Sequence, residues 1–233
     1  MPSTVAVCSV ASESQSLEQS LKEVLRDNKA HDSRRRLPST TLVEPIVAKF
    51  PLPGKLPRLL ASLGAGIDAT DPKVLLQYSV HACPRRMRRD IGLVFPDVVG
   101  KEGELLIIPT FQKTESSMLS YQAETQAEKD AKLHMFYRWG AELVSRLCRL
   151  GYWADVTDPM SGLALFTSSG PSLYPDVEGA EVLLRYTPFN LGNCFVLSHP
   201  HWGTHVYPAT AFVLAPIEVV RNVLLDMQYA CQQ

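Results

Sequence analysis

GYWADVTDPMSGLALF, residues 151–166, is the stretch on which the fold turns. A long helical pattern ends at Gly151, and two short runs follow. The first, 152–156, is rich in aromatic and β-branched residues; the second, 163–167, is almost wholly apolar. Between them, Asp158-Pro159-Met160-Ser161-Gly162 offers a proline that presets one φ and a glycine that accepts a positive one. The pattern predicts a tight hairpin inserted into a sheet, with Trp153 largely buried.

Working outward, residues 124–150 repeat Phe136, Trp139, Leu143, Leu147 and Leu150 at three- and four-residue steps, the stripe of a helix facing a core. Glu124 and Glu128 near its start and Arg146 and Arg149 near its end suit the helix dipole. Its polar first turns should project into solvent or across a partner. Upstream, 74–82 reads as a strand. Pro84 then opens a helix over 85–94, with Met87, Ile91 and Val94 as its apolar stripe. That helix carries Arg85, Arg86, Arg88 and Arg89, read as a solvated face, with a phosphate contact as the alternative. Residues 104–111 form a second strand in which Pro109 implies an edge or a bulge. Downstream come a loop at 168–179, a strand candidate at 182–186, strands at 193–199 and 204–214 joined through His-Pro-His-Trp-Gly, and a helix at 217–227. This order predicts an α+β fold, an antiparallel sheet with one long helix packed on it.

The N-terminal third reads differently. Residues 17–27 have the spacing of a short amphipathic helix, with Leu17, Leu21, Val24 and Leu25 on one stripe. Arg34-Arg35-Arg36 reads as a solvated turn, and 59–63 as a single helical turn. Five prolines between 37 and 57 predict an extended connector, because proline cannot donate to a helix or a ladder. The expected division is an arm over 1–70 and an α+β domain over 71–233.

Composition bounds the function. An apolar share of 45% with 20% charged residues is that of a globular chain, and a net charge of −1 provides no global pull toward nucleic acid or anionic lipid. Cysteines at 8, 83, 148, 194 and 231 form no CxxC pair, which points to a reducing compartment. No apolar run reaches the length of a membrane span. Residues 1–12 carry no charge and so lack the basic region of a secretory signal. Residues 13–36 hold six basic side chains against five acidic ones, a weak mitochondrial signal.

The candidates for chemistry are few. His199, His201 and His205 cluster, and the first and second would share a strand face, but a turn at 200–203 and the lack of a nearby carboxylate favour structural imidazoles, so no metal is assigned. Asp155 and Asp158 are the one carboxylate pair in a promising loop, and an Asx turn accounts for Asp158. Cys194 lies in a strand pattern without an adjacent base and reads as an inert thiol. No phosphate-binding, dinucleotide-binding, zinc-protease or serine-hydrolase motif is present. No catalytic residue is assigned, and the chain reads as a non-enzyme.

Residues 151–166 and LGNCFVLSHPHWGTHV at 191–206 resemble the methylmalonic aciduria and homocystinuria type D (CblD) family. Ala82-Cys83-Pro84, Arg88-Arg89-Asp90, Phe95-Pro96-Asp97 and Gln112-Lys113-Thr114 fit the same family in the same order, so the likeness runs from about Asp71 to Pro216. The resemblance implies a nitroreductase-like α+β domain without flavin or catalysis. It also implies binding to the processing protein CblC and delivery of cobalamin toward cytosolic methionine synthase and mitochondrial methylmalonyl-CoA mutase. A mitochondrial location, with a cytoplasmic share, follows from the family's targeting region. The family carries a cysteine pair after Leu-Gly whose first member is implicated in holding cobalt; here the pair is Asn193-Cys194. With an amide at that position, cobalamin is expected only in complex with a partner. The alternative that this departure opens is a structural or accessory subunit of a mitochondrial assembly.

Overall fold

The computed structural model describes residues 37–52, 73–120, 122–190 and 195–229. The helix read at 17–27, the basic triplet at 34–36 and the turn at 59–63 lie outside them. In chain order the elements are β1 (Thr41–Pro51), β2 (Lys73–Ala82), α1 (Arg85–Val94), a 3-10 turn (Pro96–Val98), β3 (Leu105–Lys113), α2 (Ala123–Arg149), β4 (Trp153–Val156), α3 (Asp176–Leu184), β5 (Thr187–Asn190), β6 (Phe195–Ser198), β7 (Val206–Leu214) and α4 (Ile217–Tyr229).

Five strands form an antiparallel sheet in the order β1-β2-β3-β7-β4, and β5-β6 form a separate two-stranded ribbon. The fold is α+β, as the sequence predicts. Side chains alternate across the sheet, so each strand feeds two apolar layers. On one face Leu76, Ile108, Ala211 and Val213 meet Phe136, Trp139, Leu143 and Leu147 of α2 and Val220 and Leu224 of α4. On the other, Ile107, Phe111 and Phe212 meet Ile91 and Val94 of α1, Leu183 of α3 and Leu197 of β6. Gly140 lets α2 approach β4: a Cβ there would lie 2.9 Å from the Val156 side chain. Around a buried Thr125, Ala123, Glu124, Gln126 and Ala127 at the start of α2 are exposed, as expected, and Glu128 accepts the backbone N–H groups of Glu115 and Ser116.

Several expectations are corrected. Residues 152–156 and 163–167 do not pair as a hairpin of two strands. β4 instead pairs with β7, from Trp153 opposite Leu214 to Val156 opposite Ala211, and the return segment makes only a bridge between Thr157 and Ala164. The reason is that β7 offers β4 an uninterrupted apolar ladder, whereas the turn residues are held by side chains described below. Trp153, by contrast, is largely buried as expected, its ring edge-on to Phe95 at 5.4 Å and packed against the second apolar layer. Residues 182–184 belong to α3 rather than to a strand, and the strand begins at Thr187. Pro109 marks neither an edge nor a bulge, because β3 is central. The β2–β3 ladder skips the pairs around Ser79–Val80 and Ile108–Pro109, where proline has no N–H to give, while the β7 side continues through Pro109 opposite Thr210.

The proline-rich stretch is the largest correction. Rather than a connector, 41–51 is an 11-residue edge strand on β2. Pro45 falls inside the register shift between Val43 and Ile46, where a missing donor costs least. Phe50 is fully buried, 5.8 Å from the Trp139 ring and 5.7 Å from that of Tyr78. Arg221 of α4 donates to the Leu42 carbonyl at 2.8 Å, tying the strand down from the helical layer. Phe50→Ala is therefore expected to cost about 3–5 kcal/mol, the range for emptying a buried aromatic site. Urea unfolding should show a lower midpoint at unchanged slope; a loss below about 1 kcal/mol would mean that β1 does not anchor the core.

Candidate functional site

The most elaborately held surface feature is the turn within the opening stretch. Asp158 accepts four hydrogen bonds: from the Met160 N–H (3.1 Å), the Ser161 N–H (3.2 Å), the Ser161 hydroxyl (2.6 Å) and the Tyr137 hydroxyl of α2 (2.8 Å). The Asx turn expected from the sequence is thus present, with an added tether to the long helix. Gly162 closes it at φ +73°, and its own Cβ, if present, would strike the Tyr174 carbonyl at 2.9 Å. Asp155, fully buried, accepts from the N–H groups of Val156, Phe166 and Thr167 and from the Thr167 hydroxyl. Burial pushes its carboxyl above the usual range, and these donors act against that shift. Both carboxylates are occupied in shaping the 155–167 loop.

Two further loops are tied to this turn. The Tyr174 N–H donates to the Gly162 carbonyl at 2.9 Å, and the Gly170 and Ser172 N–H groups donate to the last carbonyls of α1, Val94 and Leu93. Between the turn, the start of α3 and the first residue of β6 lies a groove of about 430 Å³, lined by Met160, Ser161, Leu173, Asp176, Phe195 and Tyr207 among others. Asn193 and Cys194, the positions singled out by the resemblance, lie outside the described residues. They fall in the link between Asn190 and Phe195, which are paired in register, and Phe195 lines the groove. The two motif blocks, 151–166 and 191–206, therefore converge here.

Asp176 was not anticipated, because its segment reads as loop. A signal was available: Pro175 followed by Asp176 and Glu178 is the proline-then-acid signature of a helix start. Its carboxyl accepts from the Thr210 hydroxyl, and burial raises its pKa to about 7. The neighbouring Tyr174 hydroxyl is buried without a hydrogen-bond partner. Burial and the nearby carboxylates hold the Tyr137, Tyr174 and Tyr207 phenols well above their ordinary range, so all three stay protonated at neutral pH.

The histidines are structural in their geometry. Nδ1 of His199 accepts the N–H groups of His201 and Trp202 (3.3 Å each), which leaves the proton on Nε2 to be donated to Gln77 at 3.1 Å. Gln77 in turn donates to the Tyr186 hydroxyl at 2.9 Å, and the imidazole stacks on Trp202 at 4.2 Å. Burial lowers its pKa to about 3. His81, also fully buried, lies between Ser79 (2.8 Å) and Thr41 (3.2 Å), with its pKa lowered to about 4 by burial. His205 meets the Glu115 carbonyl. Among the described residues no three His, Cys, Asp or Glu side chains converge as a metal site requires, and no helix is long and apolar enough to cross a membrane. Burial pushes the Cys83 thiol up to about 11, which makes it a poor nucleophile.

Comparison with known proteins places this geometry in context. A family model described as "Methylmalonic aciduria and homocystinuria type D protein" matches residues 61–224. The chain is similar to the cobalamin trafficking protein CblD of Rattus norvegicus, 35% identical over 143 residues, and to that of Homo sapiens, 34% identical over 143 residues. The protein of the same name from Gallus gallus is 35% identical over 145 residues. Each alignment covers 60% of this chain and 47% of the relative, so the chain spans about half the length of the curated relatives it matches.

Two outcomes test this geometry. Asp158→Ala removes the acceptor of four donors and should cost about 1–3 kcal/mol, with faster amide exchange confined first to 160–162. Unchanged exchange there would mean that the turn does not depend on the carboxylate. The second outcome concerns pH. His81 and His199 have folded pKa values below the unfolded value of about 6.5, so their contribution is complete above about pH 6.5 and lost as pH falls toward 4 and 3. Asp176 has the opposite sign: its contribution is complete below about pH 4 and lost as pH rises through about 7. His81 and His199, with His134 in the same sense, oppose Asp176, with Asp155 in its sense, so stability should rise between pH 5 and 6.5 by up to roughly 1.4 kcal/mol per pH unit. Asp176→Asn should steepen that rise; urea midpoints measured across the interval would show it, and a shallower rise would contradict the assignment.

Proposed function

This chain belongs to the methylmalonic aciduria and homocystinuria type D protein family, and on that premise we propose that it is a non-catalytic adaptor in cobalamin trafficking. It binds a CblC-like processing protein and directs cobalamin toward the enzymes that use it, working in mitochondria with a cytoplasmic share. The observation that carries this reading is the family match across 61–224, together with relatives whose printed name is cobalamin trafficking protein. The polar groups support it. Asp155, Asp158, His81 and His199 are each engaged by neighbours in shaping loops and the interior, and Cys83 lies far from its reactive form.

Cobalamin is cargo in this reading, held in the complex rather than by this chain alone. Asn193 offers a neutral, hard amide oxygen where a thiolate would be the stronger partner for cobalt. Cys194 is one position away, and in an extended chain neighbouring side chains point to opposite sides. The same substitution favours a second reading, a structural or accessory subunit of a mitochondrial assembly that has kept the fold and lost the cargo.

Mixing the purified chain with a CblC-like protein and cobalamin separates the two. The adaptor reading expects a co-eluting complex that carries cobalamin without a cobalt–thiolate charge-transfer band. Asn193→Cys should be able to create that band, and Cys194→Ser should leave the spectrum unchanged. Absence of any complex would remove the adaptor reading and leave the accessory subunit. A thiolate band in the unaltered protein that vanished in Cys194→Ser would overturn the assignment of the cobalt position.

A further inference from the structure

We propose that a continuous surface from α1 to Phe195 docks an acidic, amphipathic segment of a partner protein. At one end Arg85, Arg86, Arg88 and Arg89 are all exposed within the first five residues of α1, whose first turn has no acidic residue and no side-chain cap. Cations at a helix N-terminus oppose its dipole, and Arg85, Arg86 and Arg89 make no ion pair among the described residues. This local charge is therefore left for an acidic group from outside. Beside it lies a groove of about 490 Å³ reaching Leu93 and Val99. Leu93 also lines a second groove of about 500 Å³, which shares Leu173 with the groove beside Phe195. Val99, Leu173 and Phe195 are 68%, 61% and 59% exposed, apolar groups that each line one or two of the three grooves.

The backbone holds part of this surface in place. The Ser172 N–H is bonded to the Leu93 carbonyl and the Tyr174 N–H to the Gly162 carbonyl, so α1, the 170–174 loop and the Asp158 turn hold Leu93 and Leu173, the middle of this surface, in one frame. Arg86 lines the middle groove together with Asp90 and Glu178, so Arg85, Arg88 and Arg89 outside it leave the positive excess toward the start of α1. Arginine beside exposed apolar groups is the composition of a protein interface, and those apolar groups are what a nucleic acid or a bare polyanion would leave unused. The fitting occupant presents carboxylates to the start of α1 and large apolar side chains along Leu93 and Leu173.

The test rests on the adaptor reading for its first probe, a purified CblC-like protein, and uses a synthetic glutamate–leucine amphipathic peptide as an independent second. The variants are Arg86→Glu with Arg89→Glu, and Leu173→Asp, each at exposed positions and checked for an unchanged melt. Both should weaken binding of the CblC-like protein at least tenfold, and only the charge reversal should abolish its salt dependence. Binding unaffected by either variant would overturn the docking surface and leave the adaptor role standing. If the CblC-like protein fails to bind the unaltered chain, the adaptor role falls. The peptide then decides the surface: binding lost in both variants upholds it, and absence of binding overturns it. Heparin or phosphatidylserine vesicles binding as tightly as the peptide, with Leu173→Asp without effect, would also overturn it, since charge alone would then suffice.

Discussion

The ladder between β3 and β7 is the constraint on which the rest of the molecule depends. Nine residue pairs run without interruption from Leu105 opposite Leu214 to Lys113 opposite Val206. Both strands are buried almost throughout, so both faces of the sheet must be covered. The long α2 with α4 covers one face, and α1, α3 and the β5-β6 ribbon cover the other. The placement of every loop in the candidate site follows from this. The Asp158 turn leaves β4 where β4 leaves β7, and α3 begins where Asp176 meets Thr210 on β7.

Local pattern made much of this legible. β2, β3, β7, α1, α2 and α4 each carry enough apolar periodicity to be placed within about two residues, because burial on a known face is a local property of sequence. What failed was non-local or masked by proline. The partner of β4 is a strand more than fifty residues further on, and no turn chemistry encodes that choice. β1 was hidden because Pro38, Pro45 and Pro51 read as breakers, whereas they sit before the strand, at its register shift and at its end. α3 was hidden by Gly179, which packs so closely on Tyr174 that a Cβ would overlap its hydroxyl. In the site, the Asx role of Asp158 could be read from Asp-Pro-Met-Ser-Gly, while its bond to Tyr137 and the burial of Asp176 required the fold.

The interior is also more polar than its apolar clusters suggest. Gln77, Ser79 and His81 form one row on β2, on the sheet face they share with Ile107 and Phe111 of β3. Each finds a side-chain partner, and Gln77 bridges His199 to Tyr186. Such a network is stable only while both imidazoles stay neutral, which joins the β5-β6 ribbon to the main sheet through uncharged hydrogen bonds. The ribbon therefore runs from the Asn190–Phe195 pair at one end to an end held through His199, next to Ser198, at the other.

The order β1-β2-β3-β7-β4 has a consequence for biosynthesis. Seen from the ribosome, β3 and β4 are both complete long before β7 exists, yet each needs β7 beside it. Until residue 214 has emerged, β3 presents a long apolar edge with unpaired backbone groups, and β4 has no ladder partner. A chain terminated anywhere between 157 and 205 would not be a smaller version of this domain. It would be an open sheet lacking the strand that joins its two halves, a species for chaperones and proteases rather than a working fragment.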